Sequence, residues 1–484
     1  MQTVKLFSFC KPDSKSSLLA ILSLILLMIS CEEKAAKRPG DAGLDVQLYA
    51  DEVAQAAQAL IKLTPAQQRD SLVYPFDSDE RVEGKETDRT PSFCAVLAWC
   101  LPGWGLQVGD LNQEQLVAMH KMLNLALSPG GYQTLLAVIN RQRIIGEMED
   151  VSESQTIRDA MHNHPHDHAS SIFDLVEDEP DSLFYPSLAG GKKTDTSAFV
   201  KWIWDPIPGL KGRWKQFNQY TLAIFGEPDS GGEWGFRFEG HHITVNMTFV
   251  PDPTTGAIKV HATPLFFGAF PLVIPAPPYA KTDPAPQWNW EKGQLMMFSV
   301  AHHLRQFWLA VPETLRDQAF ISSESFPQTP PLEVDTPLPF MISSLDPSVD
   351  TSRIKSYPHI EIRTDELTAE ARWHLKQAYL FYLGAMNPNI GTGYVARLDQ
   401  ALAPGQPLTL SWAGKSLEVV GSHHYSYVVV GSLLLEFLQS NQFVVQHNPE
   451  VTGNHLHSML RDLSFDWMDP MQKHHVEDHL QTVQ

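Results

Sequence analysis

Apolar residues recur at helical spacing through residues 45–62, DVQLYADEVAQAAQALIK, with strong helix formers between them. The same period returns after Asp110, where DLNQEQLVAMHKMLNLALSPGG carries an apolar stripe through Leu116, Met119, Leu123 and Leu127. Asp110 and Gln113 stand at capping-box spacing, and the run Pro129-Gly130-Gly131 is expected to stop this helix. From Tyr220 the period changes to alternation. YTLAIFG, EWGFRFEGHHITVNMTFV and AIKVHATPLFFGAFPLVI read as three strands, separated by the turn-forming stretches EPDSGG and PDPTTG. Residues 291–322 and 364–384 are again helical in pattern, on either side of a proline-rich connector, and LTLSWAG, HHYSYVVVGSLLLEFLQ and GNHLHSML read as closing strands. The pattern predicts an α+β fold, in which a helical N-terminal third packs on a mixed or antiparallel β core that C-terminal strands complete.

The opening of the chain has a different character. Lys5, Lys11 and Lys15 face a single Asp13, and the apolar run LLAILSLILLMIS follows, too short for a membrane span of about 20 residues. A basic start, a short apolar core and a small residue before a cleavage point make residues 1–30 a signal peptide. The sequence MISC resembles a bacterial lipobox, with Ser30 before Cys31 and Met28 three before it. Cys31 is therefore expected to carry the lipid anchor, with residues 31–44 as a polar tether. Glu32 rather than Asp after Cys31 favours the outer membrane of a Gram-negative envelope over retention at the inner one.

Composition narrows the partners. The formal net charge is −20, and removal of the basic residues 1–30 makes it more negative. Such a surface repels nucleic acid and anionic headgroups, so the membrane is expected to be met through the lipid alone, and any ligand in a pocket. Of four cysteines, Cys94 and Cys100 lie in SFCAVLAWCLPGWG. The compartment permits a disulfide between them, but helical spacing would set them on different faces, and both readings stay open. Residues 151–214 form a polar stretch with His162, His164, His166 and His168 at alternate positions. With Pro165 and acids around them, they read as a solvated insertion.

YPFDSDER at 74–81, DLNQEQLVAMHKMLNLALSPGGY at 110–132, LAIFGEP and EWGFRFEGHHITVN within 222–246, PLFFGAFP at 264–271, and HLHSMLRD with a following DW at 455–467 together resemble the family labelled domain of unknown function 3500. The resemblance covers nearly the whole mature chain and implies one domain over 45–484. It carries no reaction with it. Two features depart from the family pattern: the insertion at 151–214, and Asp466-Trp467-Met468 where Asp-Tyr-Gly is expected.

The candidate chemistry lies in two stretches. Alternation through EWGFRFEGHHITVN sets Trp234, Phe236, Phe238, His242 and Asn246 on one side and Arg237, Glu239 and His241 on the other, unless Gly240 forms a bulge that re-aims the histidines. Near the C-terminus, His455 and His457 sit two apart in GNHLHSML, with Arg461, Asp462, Asp466 and His474 close behind, and Glu436 lies among leucines in LLLEFL. A glutamate buried there without a partner would be destabilising by several kcal/mol, so a partner is expected.

Histidines with one carboxylate form a donor set suited to zinc, iron or copper. His241, His242, His455 and His457 are the candidate ligands, Glu239, Glu436, Arg461 and Asp462 the candidate catalytic groups, and Trp234, Arg237, Asn246, Asp466 and His474 the candidate substrate contacts. The readings left open are a metal-assisted hydrolase, a binding module for a small or anionic ligand or a metal, and a structural set of hydrogen-bonded histidines. Arg461 either grips an anion or pairs with Asp462 or Asp466 to fix a turn. Motifs for a serine hydrolase elbow, a zincin, a phosphate loop or a dinucleotide fold are absent from the sequence.

Overall fold

The computed structural model describes residues 41–81, 105–139, 220–229, 231–240, 242–269, 298–321, 359–414, 417, 424–440 and 455–466. Cys31, Cys94, Cys100, His241, His474 and the 151–214 stretch lie outside them, as does the side chain of His455. The chain divides into Met1–Asp45 and Val46–Gln484, and the second unit holds every described strand and all the helices apart from the first residues of the first one.

The helices are α1 Asp41–Leu63, α2 Ala66–Arg69, α3 Gln113–Ala126, α4 at 129–139, α5 Phe298–Ala310, α6 Glu313–Ala319, α7 Ala369–Leu383 and α8 Pro388–Ala401. Helix α3 starts two residues later than the Asp110–Gln113 spacing suggested. Asn112 is its cap, accepting from the Gln115 backbone N–H, while the Gln115 side chain accepts from the Asn112 backbone N–H.

Pro129-Gly130-Gly131 opens α4 and does not simply end α3. Ser128 supplies the cap, its Oγ accepting from Gly131 N at 3.0 Å, and Pro129 fits the first turn of a helix, where its missing N–H is no loss. Gly131 is required there because a Cβ would run into the carbonyl oxygen of Ala385. Helix α8 escapes the period reading because Gly391 and Gly393 dilute it; Gly391 lets it lie against the Leu383 carbonyl, 2.5 Å from where a Cβ would sit.

The strands are β1 Val73–Tyr74, β2 Leu106–Gln107, β3 Thr221–Gly226, β4 Trp234–Gly240, β5 Ile243–Pro251, β6 Ile258–His261, β7 Leu265–Ala269, β8 Ile360–Arg363, β9 Pro407–Gly414, β10 His424–Val430, β11 Leu433–Ser440 and β12 His455–Asp462. They form one 12-stranded sheet in the order β1-β3-β4-β5-β7-β12-β11-β10-β9-β8, with β2 on β3 and β6 on β5. Only β1 on β3 is parallel among the described strands, so the sheet is mixed but nearly all antiparallel.

Each long alternating stretch folds back as two strands. EWGFRFEGHHITVNMTFV folds back between Gly240 and Ile243, which pair with each other, and HHYSYVVVGSLLLEFLQ turns at Gly431-Ser432. Gly431 has φ +61°, which a glycine adopts without strain. AIKVHATPLFFGA breaks between His261 and Leu265.

One face of the sheet carries the core. Phe236, Phe238, Val245, Met247, Phe267, Val428 and Leu435 join the apolar sides of the helices in one continuous cluster. Tyr379 of α7 donates its hydroxyl to the carbonyls of Val428 and Leu433, and Tyr382 stacks on Phe267 with ring centres 5.9 Å apart. Among the described residues no helix is long and apolar enough to cross a membrane.

Candidate functional site

Residues that alternate with the core positions project to the other face, and there the sheet is polar although deeply buried. Arg237, Glu239, Thr244, Asn246, Thr248, Glu436, His457 and Arg461 all belong to it by register, and none is exposed. The two halves of the sheet meet where β7 pairs with β12, and this seam decides which side chains come together in space.

At the seam His457 lies opposite Gly268, and Gly268 N donates to the His242 carbonyl on its other side. With no side chain on Gly268, the two imidazoles close over it, ring centres 5.1 Å apart and planes at 62°. A Cβ at Gly268 would stand 2.6 Å from Cδ2 of His242. Phe266 packs edge-on to His457 at 5.5 Å. The tight turn, rather than a bulge, brings His242 to this face, because the chain reverses after Gly240 and the alternation restarts. Gly240 is glycine because the Tyr220 ring occupies the place of a Cβ.

Two carboxylates flank the pair. Glu239 pairs with Thr244 across β4 and β5, beside the turn that carries His242, and Glu436 pairs with Met459, two residues along β12 from His457. Glu436 is fully buried and accepts the Tyr425 hydroxyl at 2.6 Å on Oε1, the partner its apolar surroundings demanded. Glu239 meets Arg237 at 3.2 Å and the Thr221 hydroxyl at 3.4 Å through Oε1. Among the described residues its Oε2 has no hydrogen-bond partner, and burial raises its pKa to about 7 against the pull of Arg237. Arg237 also donates to the carbonyls of Glu80 and Arg81.

Other candidate residues are placed differently. Trp234 stacks on Phe249 at 4.3 Å in the core, on the face opposite Asn246 and His242, so it does not join them as the continuous alternation suggested. Asn246 donates to the Pro264 carbonyl. Arg461 does fix a turn, giving Nε to Asp466 at 2.6 Å while the other oxygen of Asp466 accepts from Asp462 N. Asp462 points to the helical face and pairs with Arg397 of α8 at 2.6 Å.

Three contributors went unnoticed in the sequence. Arg81 is buried, with burial and Arg237 lowering its pKa to about 9; it donates to Thr248 and lies over the Phe76 ring at 4.5 Å. Tyr425 and Gly268 are the others; Arg81 within YPFDSDER and Gly268 within PLFFGAFP lay in stretches that carry the family resemblance, whereas Tyr425 offered no such signal. Among the described residues no three His, Cys, Asp or Glu side chains, as they stand, are close enough together to hold a metal.

The fold and this face define a class: an α+β protein built on one nearly antiparallel sheet, with helices on one side and a buried row of histidines, acids and arginines on the other. The chain belongs to the family described as Protein of unknown function (DUF3500), whose model matches residues 47–469. No curated protein and no solved structure matches it.

Proposed function

We propose that this protein is an exported, lipid-anchored hydrolase of the cell envelope, in which His242 and His457 hold a divalent metal and Glu239 handles the proton. The observation that carries this reading is the meeting of the two imidazoles over Gly268, 5.1 Å between centres. Two rings bound to one tetrahedral zinc through Zn–N bonds of about 2.0–2.1 Å have centres about 5 Å apart, so the pair suits shared ligation. His241, adjacent in sequence to His242, and His455 on β12 are the candidates for further donors.

A bound metal supplies a water of lowered pKa. Glu239, with a pKa of about 7 and Oε2 unengaged, is suited to take up a proton and release it near neutral pH. Arg237 keeps that carboxylate from becoming permanently neutral. Glu436, bound by the Tyr425 hydroxyl, lies on β11 opposite Met459, the near neighbour of His457 on β12. Arg461, bound to Asp466 through Nε, holds the end of β12 in place. Export and anchoring rest on the basic and apolar opening of the chain and on Ser30-Cys31.

The test is elemental analysis of the purified protein beside a His242→Ala, His457→Ala variant shown to be folded by circular dichroism. Metal near one equivalent, lost in the variant, supports the reading, whereas equal metal content in both rules it out. A non-catalytic binding protein is the second reading, since a buried polar face also suits capture of a ligand. Glu239→Gln separates the two, because it abolishes turnover in a hydrolase and leaves affinity intact in a binder.

A further inference from the structure

A second group of histidines lies on the helical side of the sheet, apart from the polar face. Helices α5 and α7 run antiparallel, with the Thr368 hydroxyl at the start of α7 donating to the Ala310 carbonyl at the end of α5. Along their seam His302 and His303 of α5 meet His374 of α7. The Nδ1 atoms of His303 and His374 are 3.0 Å apart. Ring centres are separated by 5.1 Å for His302 and His303, 5.3 Å for His303 and His374, and 6.2 Å for His302 and His374.

We propose that His303 and His374 form a metal-binding clamp for a borderline divalent cation such as Cu²⁺, Ni²⁺ or Zn²⁺, with His302 turning in as the third donor. Two nitrogens on one tetrahedral zinc stand about 3.3 Å apart, a few tenths of an ångström from the observed Nδ1 separation. His302 has to bring its ring about 1 Å nearer His374 to complete a three-histidine set with an open position. Burial disfavours the charged form of all three imidazoles, with His374 and Arg305 lowering His302 further and with His302 and His374 helping to lower His303 to about 3. Glu370, one turn before His374 and exposed, adds negative charge beside the site. The clamp is open to solvent at Trp373, which is 53% exposed and whose ring lies 4.7 Å from His374 and 5.4 Å from His303.

Trp373 supplies a reporter that does not depend on any enzymatic activity. Cu²⁺ titrated into the full-length protein at pH 7.5 is expected to quench its fluorescence, and calorimetry with Cu²⁺ or Ni²⁺ gives the affinity. His303→Ala and His374→Ala are each expected to weaken binding at this site at least tenfold, and His302→Ala several-fold. Trp373→Phe should lose the quench but keep the calorimetric affinity. The His242→Ala, His457→Ala variant should keep both, so that the two metal proposals succeed or fail separately. If an alanine variant does not fold, His374→Gln and His303→Gln take its place. Unchanged affinity in the His303 and His374 variants, or no saturable quench in the wild-type protein, overturns the proposal.

Discussion

The imidazoles of His242 and His457 lie 5.1 Å apart over Gly268, although they belong to opposite halves of the sheet and meet only because β7 pairs with β12. Gly268 is therefore the residue on which the pair depends. In Gly268→Ala the new methyl would sit 2.6 Å from Cδ2 of His242 and force the ring aside. We expect a destabilisation of about 1–3 kcal/mol, typical of overpacking. Metal retention should fall much further than stability does, as denaturant melts and elemental analysis on the same sample would reveal.

Glu239 links the site to pH. Its pKa is raised from 4.5 to about 7, so the folded state holds a proton that the unfolded state releases. The stability associated with it is complete below pH 4.5 and declines as pH rises through 7, by about 3 kcal/mol at about 1.36 kcal/mol per unit. Glu239→Gln should flatten this decline. Urea melts at pH 5 and pH 8 measure it, and an unaltered slope in the variant would show that Glu239 does not titrate in this range.

His424 has the opposite sign. It is buried, its Nε2 lies in hydrogen-bond contact with the Ser426 hydroxyl at 2.5 Å, and that hydroxyl accepts from Trp308 Nε1 at 2.7 Å. Burial lowers its pKa to about 3, so the unfolded chain binds a proton that the folded one refuses. Stability attached to His424 is present above pH 6.5 and lost as pH falls toward 3. His424→Gln is expected to make the protein less sensitive to acid between pH 7 and 5, read from the shift in thermal midpoint.

The Tyr425 hydroxyl is a hydrogen-bond donor to a fully buried carboxylate. Tyr425→Phe removes it and should destabilise the fold by about 1–3 kcal/mol, the range for a buried polar group that loses its partner. A change below a few tenths of a kcal/mol in chemical denaturation would mean that Glu436 is held by other contacts.

Breaking the Arg461–Asp466 pair should be more severe. Both side chains are almost fully covered, and Asp466→Asn leaves a guanidinium facing a neutral amide. Loss of one partner of a buried ion pair costs about 3–5 kcal/mol. Because Arg461 positions the end of β12, any activity assigned to the polar face should fall along with stability, which a comparison of melts and turnover would test.

Much of the secondary structure was legible because period is a local property. The stripe through Leu116, Met119 and Leu123 did form a helix, and the alternating stretches did form strands. Reversals were harder to see. Nothing local distinguishes a reversal after Gly240 from a strand running on, and that single step decides that His242 and Asn246 share a face with Glu239 and that Trp234 does not. Pro129-Gly130-Gly131 carried signals for both an end and a beginning, and Ser128 as a cap made it a beginning. His302 and His303 showed no pattern in the sequence, because their partner His374 belongs to another helix.

The sequence by itself determined the α+β class, the location of the main helices and strands, the family, and the need of Glu436 for a partner, since hydrophobic period and the penalty on a buried charge follow from residue types alone. Only the tertiary structure decided which histidines meet, which arginine is bound to which acid, and how far Glu239 and His424 depart from their ordinary pKa values. Those outcomes depend on strand register and on desolvation, which arise only when segments distant in the chain are packed together.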